Sequence, residues 1–357
     1  MTTRTRTQAN TKAVAGSSFD IQASDMATEY FMNMTNHADR SWRGGVGFDG
    51  LDVGTSIQEL QSCPEFNWRV EKVPLFREDS SGFGKFVGLQ RVDDQTPFGT
   101  ATNKVEIVQN DEAIGWFKHF FDSGLAMFES AGTFKNGQKC WMMARMAGKP
   151  LMALPDDPFM PYLLMTWGHD GKTALTIQPL SFRISCANQM PAIFANGNEY
   201  GVKLKHRSGI KEAMEEVKDV TSQAYAGLKD LEANLARLAK LPVNMKSLEN
   251  YFRRALKLRW RDPKAIILDQ QKFEEQMAAV SYNLEKLFNT HEVERHTMPS
   301  GAQDTLYHCV NTITRFATHE QKAKDDETRF HNNFWGPGHQ LRKRGYQVAL
   351  EMEKEMA

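Results

Sequence analysis

The stretch from Met127 to Met146, MFESAGTF-KNGQ-KCWMMARM, decides the reading of the first half of the chain. Two runs suited to strands flank Lys135-Asn136-Gly137, and Asn-Gly supplies the positive-φ residues of a tight hairpin turn. The same logic repeats downstream, where Leu163 to Trp167 meets Leu175 to Ile184 across Gly168-His169-Asp170-Gly171-Lys172. There Asp-Gly is the turn signal. Upstream, Lys85 to Val92 and Asn103 to Gln109 are β-branched runs separated by the turn-rich Asp93 to Pro97, which predicts another strand pair.

Working outward, Trp68, Val70, Lys72 and Pro74 alternate as a short strand ended by proline. Asp111 is the expected N-cap of a helix through Ile114, Phe117 and Phe121. Arg183 to Met190 reads as a strand running into a helix. The expectation is an α+β fold whose N-terminal part is an antiparallel sheet of hairpins with helices on one side, followed by an all-helical region. The aromatic and methionine run Trp141, Met142, Met143, with Tyr162 and Trp167, suits either a core or an exposed stacking platform. Alternate residues of a half-buried strand point inward, which favours core.

After Gly201 the pattern changes. Ile210, Met214, Val217, Thr221, Ala224, Leu228, Leu231, Leu235 and Leu238 form a heptad seam ended by Pro242. It reads either as a long helix packed inside its own domain or as a coiled coil joining copies of the chain through residues 210–238. Further helices are predicted over Ser247–Trp260, Asp269–Asn289 and Thr305–Ala317, and from about Gln340 to the end. The expected organisation is a disordered tail over 1–25, an antiparallel-sheet α+β domain over 26–205 and a helical domain over 206–357.

The composition narrows the function classes. Lys plus Arg and Asp plus Glu are both 44, so the net charge is zero. A histone-type basic field is excluded, and any nucleic-acid site must be a local patch. No apolar run reaches the length of a membrane span, and Met1 to Phe19 lacks the apolar segment of a secretory signal. Cys63, Cys140, Cys186 and Cys309 are far apart, with no C-x-x-C pair, and read as reduced thiols of a cytoplasmic protein.

Motifs with a known mechanism fail. Gly82-Phe83-Gly84-Lys85 lacks the spacing of a phosphate-binding loop, and there is no H-E-x-x-H or G-x-S-x-G. His291 and His296 are five apart and His308 adjoins Cys309, so neither spacing places ligands on one helical face. No metal and no cofactor are expected.

The densest local signal is Tyr251 to Lys264, with six basic residues, one acidic one and interleaved aromatics. On one helix Arg253, Lys257 and Arg261 would share a face, beside Arg254, with Trp260 nearby for stacking. The bland reading is a solvated face paired with acidic neighbours such as Glu274, Glu275 and Glu285. A second basic cluster, Gln340 to Arg344, would sit near Glu351, Glu353 and Glu355. A third grouping, Asn110, His169, Asp170, Arg183, Cys186 and Asn188, suits an unrecognised enzyme site. Turn chemistry and a satisfied core explain it equally well.

Several blocks are similar to one family. Asn103–Ala113 (NKVEIVQNDEA), Gly132–Trp141 (GTFKNGQKCW), His169–Leu175 (HDGKTAL), Arg183–Asn188 (RISCAN), Asn311–Phe316 (NTITRF) and Phe334–Gly338 (FWGPG) resemble the signature blocks of the phage/plasmid-like proteins, domain of unknown function 932. Gly168 departs from the serine usual before that His-Asp-Gly. The resemblance implies a phage, prophage or plasmid gene of unassigned role, with a fold-level likeness to single-strand annealing proteins. Fold does not fix function. The leading expectation is a nucleic-acid-binding accessory protein acting on single-stranded DNA. In it Arg183, Arg253, Arg254, Lys257 and Arg261 meet phosphates, and Trp260 or Trp167 stacks on bases. The alternatives are a non-enzymatic protein that modulates a host factor, and an enzyme with the site named above.

Overall fold

The computed structural model describes residues 57–183, 188–190, 201–206, 209–216, 220–257 and 270–357. A short helix α1 (Ile57–Ser62) leads into a three-stranded antiparallel sheet of β1 (Val70–Phe76), β2 (Gly82–Arg91) and β3 (Pro97–Thr102), in the order β1-β2-β3. Pro74 does not end β1. The strand runs on to Phe76 because β1 lies at a sheet edge, where a missing N–H breaks no pairing.

The partner strand β3 comes earlier than Asn103–Gln109, which forms no strand. Instead the Gln109 side chain acts as a strand partner. Its Oε1 accepts from Val70 N–H at 2.9 Å and its Nε2 donates to Val70 O at 2.8 Å. Helix α2 (Asn110–Asp122) starts directly after it. Gln109, not Asp111, is its N-cap, and Gln109 N–H donates to Glu112 Oε2 at 3.0 Å. Asp111 pairs outward with Arg69.

The main sheet has seven strands. Its path runs β10 (Val202–Leu204), β8 (Leu175–Arg183), β7 (Asp157–Gly168), β5 (Lys139–Met146) and β4 (Ala126–Phe134). β6 (Leu151–Leu154) pairs with β7, and β9 (Gln189–Met190) with β8. Both expected hairpins are present. Lys135, Asn136 and Gly137 turn with φ of 51°, 55° and 96°. At Gly137 a Cβ would lie 2.4 Å from the Trp68 ring, so this turn can press against the small sheet only as glycine. Prolines are tolerated in these central strands where pairing on one side has ended. Pro161 lies beyond the β5 register, and Pro179 opposes neither β9 nor β10.

Strand alternation gives the sheet two apolar faces. Cys140, Met142, Ala144, Leu163, Met165, Trp167 and Ile177 look one way, onto a core shared with Phe117, Phe120, Leu228, Leu231 and Val310. Trp141, Met143, Tyr162, Leu164 and Phe182 look the other way, onto Phe330, Phe334 and Trp335. Helices therefore cover both faces, not one. Phe330 and Phe334 sit four apart on α8 (Asp326–Phe334), with one stripe turned to the sheet.

The remaining helices are α3 (Ile210–Glu216), α4 (Val220–Leu238), α5 (Met245–Ala255), α6 (Gln270–Arg295), α7 (Leu306–Arg315) and α9 (Pro337–Met356). α4 packs on β6 and β8. The described seam residues Ile210, Met214, Ala224, Leu228, Leu231, Leu235 and Leu238 are all buried inside the chain. That corrects the expectation of an oligomer joined through residues 210–238, because these side chains already have partners in their own chain; Val217 and Thr221 lie outside the residues whose side chains are described. Among the described residues, no helix is long and apolar enough to cross a membrane.

Candidate functional site

The expected cluster of Asn110, His169, Asp170, Arg183 and Asn188 separates into two buried nodes. They lie at opposite ends of β7 and β8, about 23 Å apart for the seven residues from Thr176 to Arg183. Cys186 is outside the described residues.

The first node is neutral and centres on Asn110, placed in the first turn of α2 by the Gln109 cap. Its Oδ1 accepts from Trp167 Nε1 and His169 Nε2, each at 2.9 Å, and lies 3.6 Å from Cys140 Sγ. Its Nδ2 donates to Phe66 O at 3.1 Å. An amide oxygen only accepts, so His169 carries its proton on Nε2 and keeps a bare Nδ1. That Nδ1 is buried with no hydrogen-bond partner, and the ring packs against both Trp68 and Phe98. Burial pushes the His169 pKa down to about 3 and the Cys140 thiol well up. Asp170 does not join them. Its carboxylate accepts from Lys172 N–H, Thr173 N–H and Thr173 Oγ1, which is turn chemistry.

The second node is charged. Arg183, at the end of β8, donates from Nε to Asp157 Oδ1 at 2.6 Å. Its Nη1 donates to Glu294 Oε1 at 2.7 Å, and its Nη2 to Thr297 O at 2.5 Å. Tyr307 donates its hydroxyl to Asp157, Asn188 Nδ2 donates to Glu294 at 3.2 Å, and Arg315 approaches Glu294 from the surface side at 3.5 Å. Burial raises the Glu294 pKa, against the lowering effect of Arg183. One guanidinium thus ties β7 and β8 to α6 and the segment after it. Asp157, Glu294 and Tyr307 had no sequence signal, because three separate elements supply them.

This arrangement corrects the expected phosphate contacts. Arg183 and Trp167 are fully buried and meet protein groups, so neither faces a nucleic acid. The basic stripe is not one helical face, since α5 ends at Ala255 and Lys257 turns away with φ of 55°. Arg344 donates to Ala255 O at that helix end. Arg253 pairs with Glu249 at 2.7 Å, and Arg254 with Glu351 and Glu355 at 2.7 and 2.9 Å. Trp260 and Arg261 lie outside the described residues. In the second basic cluster Arg342 is buried, bonded to Gln189 and to Asn333 at the end of α8.

A third group was missed. His291 on α6 and His308 on α7 stack with centroids 3.6 Å apart, and Asp304 lies just before the Thr305 N-cap of α7. One ligand atom from each of the three lies within 4.8 Å of the others. The histidines are 17 residues apart on two helices, so helical spacing had no means of pairing them. The i, i+4 step from Asp304 to His308 was the only local hint.

No curated protein and no solved structure matches the chain. The family model matches residues 97–334, from β3 to the end of α8, so the Arg183 node and the histidine pair fall within it, as does the Asn110 node apart from Phe66 and Trp68. The chain belongs to the family of the domain of unknown function DUF932.

Proposed function

We propose that this chain is a phage- or plasmid-encoded accessory protein that binds single-stranded nucleic acid, with its contact surface on the β1–β2 hairpin. One observation carries the reading. Phe76 and Phe86 are 63% and 50% exposed on that hairpin, and Lys85, which precedes Phe86 on β2, is exposed with no ion pair found among the described residues. Exposed rings offer sequence-tolerant stacking faces, and an exposed ammonium offers a phosphate contact. The phage or plasmid origin rests on the family resemblance alone, and the reading moves the interface away from Arg253, Arg254 and Lys257.

The test is fluorescence anisotropy with a labelled single-stranded oligonucleotide at 50 mM and 200 mM salt. Binding should weaken with salt, and Lys85→Ala should lower the salt slope by about 0.7, one contact on a single strand. Phe86→Ala should weaken binding by about 1–3 kcal/mol. No detectable binding at 50 mM salt overturns the proposal. Salt-insensitive capture of a protein through Phe76 and Phe86 would turn it toward the modulation of a host factor.

A further inference from the structure

The histidine pair has a feature that packing alone leaves unexplained. Thr312 Oγ1 donates its only hydrogen to His308 O at 2.9 Å, so it must accept from His291 Nδ1 at 2.7 Å. His291 therefore bears its proton on Nδ1 and keeps a bare lone pair on Nε2. That nitrogen is buried without a hydrogen-bond partner and faces Asp304 Oδ1 at 3.6 Å. His308 is fixed in the opposite sense. Its Nε2 lies 3.0 Å from His291 O and must donate to it, so its Nδ1 carries the lone pair and accepts from the Asp304 backbone N–H at 3.2 Å, a contact that a metal ligand at Nδ1 would replace.

The unpartnered His291 Nε2, His308 Nδ1 and the Asp304 carboxylate thus converge, with one ligand atom of each within 4.8 Å of the others. A lone pair facing a carboxylate oxygen is repulsive unless a cation sits between them. Arg295 forks the same carboxylate at 2.7 and 2.5 Å, yet His291 Nε2 is left without a hydrogen-bond partner.

We propose that His291 Nε2, His308 Nδ1 and Asp304 form a binding site for a divalent transition-metal ion of the zinc class. Tetrahedral ligands at 2.0–2.1 Å from zinc stand about 3.3 Å apart, close to the 3.6 Å separating His291 Nε2 from Asp304 Oδ1. Two nitrogens and one oxygen suit zinc, cobalt, nickel or copper, and argue against magnesium or calcium, which take oxygen ligands. The outer shell is also built. Each imidazole donates its other N–H to an oxygen, His291 to Thr312 and His308 to the His291 carbonyl, which sets the tautomer a ligand needs. Asp304 is half-exposed and opens the site to solvent, so an ion can enter and keep a water as fourth ligand. The ion would pin the end of α6 to the start of α7, next to the Arg183 node.

The test uses the full chain, stripped with a chelator and titrated with Co²⁺ and then Zn²⁺. One equivalent of Co²⁺ should bind with visible d–d bands that Zn²⁺ displaces. Asp304→Asn and His291→Gln should abolish that equivalent. Thr312→Val, which removes only the partner of His291 Nδ1, should keep the bands and weaken affinity 10–100-fold. If His291→Gln does not fold, Asp304→Asn, at a half-exposed position, decides the matter. Absence of a stoichiometric Co²⁺ complex, or titrations of Asp304→Asn that superimpose on wild type, overturns the proposal. The assay contains no nucleic acid, so its outcome is independent of the function proposed above.

Discussion

At the two ends of β7 and β8 the chain buries polar groups in opposite ways. The Asn110 node is neutral, with one amide oxygen taking N–H donors from Trp167 and His169, which flank the end of β7. The Arg183 node is ionic, with one guanidinium between Asp157 and Glu294, which are 137 residues apart in sequence. The neutral node also joins distant segments, since Asn110 on α2 bonds to Phe66 O and to Trp167 and His169, but it does so through uncharged hydrogen bonds. The ionic node joins the sheet to the helices, where few local restraints help. A buried ion pair is weak evidence for stability, but a lone partner left behind is costly. The first node seats α2 on the end of β7. The second ties the sheet to α6 and α7.

The largest expected effect is on the pH dependence of stability, where His169 of the neutral node and His308, outside both nodes, act against Glu294 of the ionic node. His169 and His308 have folded pKa values lowered to about 3 by burial, against 6.5 when unfolded. Below pH 6.5 the unfolded chain binds more protons, so stability is lost as pH falls from 6.5 towards 3. Each histidine contributes a slope on the order of 1.4 kcal/mol per pH unit, or about 5 kcal/mol for the two between pH 6 and 4. Glu294 acts with the opposite sign. Its pKa is raised in the fold, so stability from this group falls as pH rises through the window just above the ordinary carboxylate value of 4.5. Urea midpoints at pH 7.5, 6, 5 and 4 measure the sum. His169→Asn should remove one histidine's share of the slope, and an unchanged slope would break the assignment of a neutral, buried ring.

At constant pH the ionic node should be the more fragile. Glu294→Ala leaves Arg183 with one carboxylate and Asn188 Nδ2 without its acceptor, while Arg315 keeps Glu320, at a cost of about 3–5 kcal/mol. Asn110→Ala strips the acceptor from two buried donors and should cost about 2–4 kcal/mol. Chemical denaturation of both variants at pH 7 tests the order, and a reversed order would mean that the neutral node carries the tertiary link.

The sequence disclosed local chemistry well and long-range chemistry poorly. The Asn136-Gly137 and Asp170-Gly171 turns were legible because the residues that make a hairpin turn are the turn itself. The position of β3 was not, because a side chain, Gln109, replaced a strand as the partner of Val70. The end of α5 at Ala255 was missed for a similar reason, with Arg344 from another helix at the last carbonyl. Of the candidate site, Asn110 and His169 do meet, and Arg183 meets Asn188 through Glu294. Nothing in the spacing showed that these were two places. The pairing of His291 with His308 depends on how α6 and α7 pack, which no local pattern encodes.

The smallest expected effect bears on the surface that the sequence favoured. Arg254 is only partly buried and is bracketed by Glu351 and Glu355, both more than half exposed, from the last turns of α9. Exposed pairs of this kind gain little, since water screens the attraction and ordering three long side chains costs entropy. Arg254→Ala should therefore shift stability by less than about 1 kcal/mol, within reach of a careful denaturation series. Its effect on nucleic-acid binding discriminates more sharply. Two carboxylates beside the guanidinium repel a phosphate, so oligonucleotide affinity and its salt slope should match wild type. A slope reduced by about 0.7 in Arg254→Ala, with Lys85→Ala silent, would return the interface to α5 and show that the acidic end of α9 yields to the phosphate backbone.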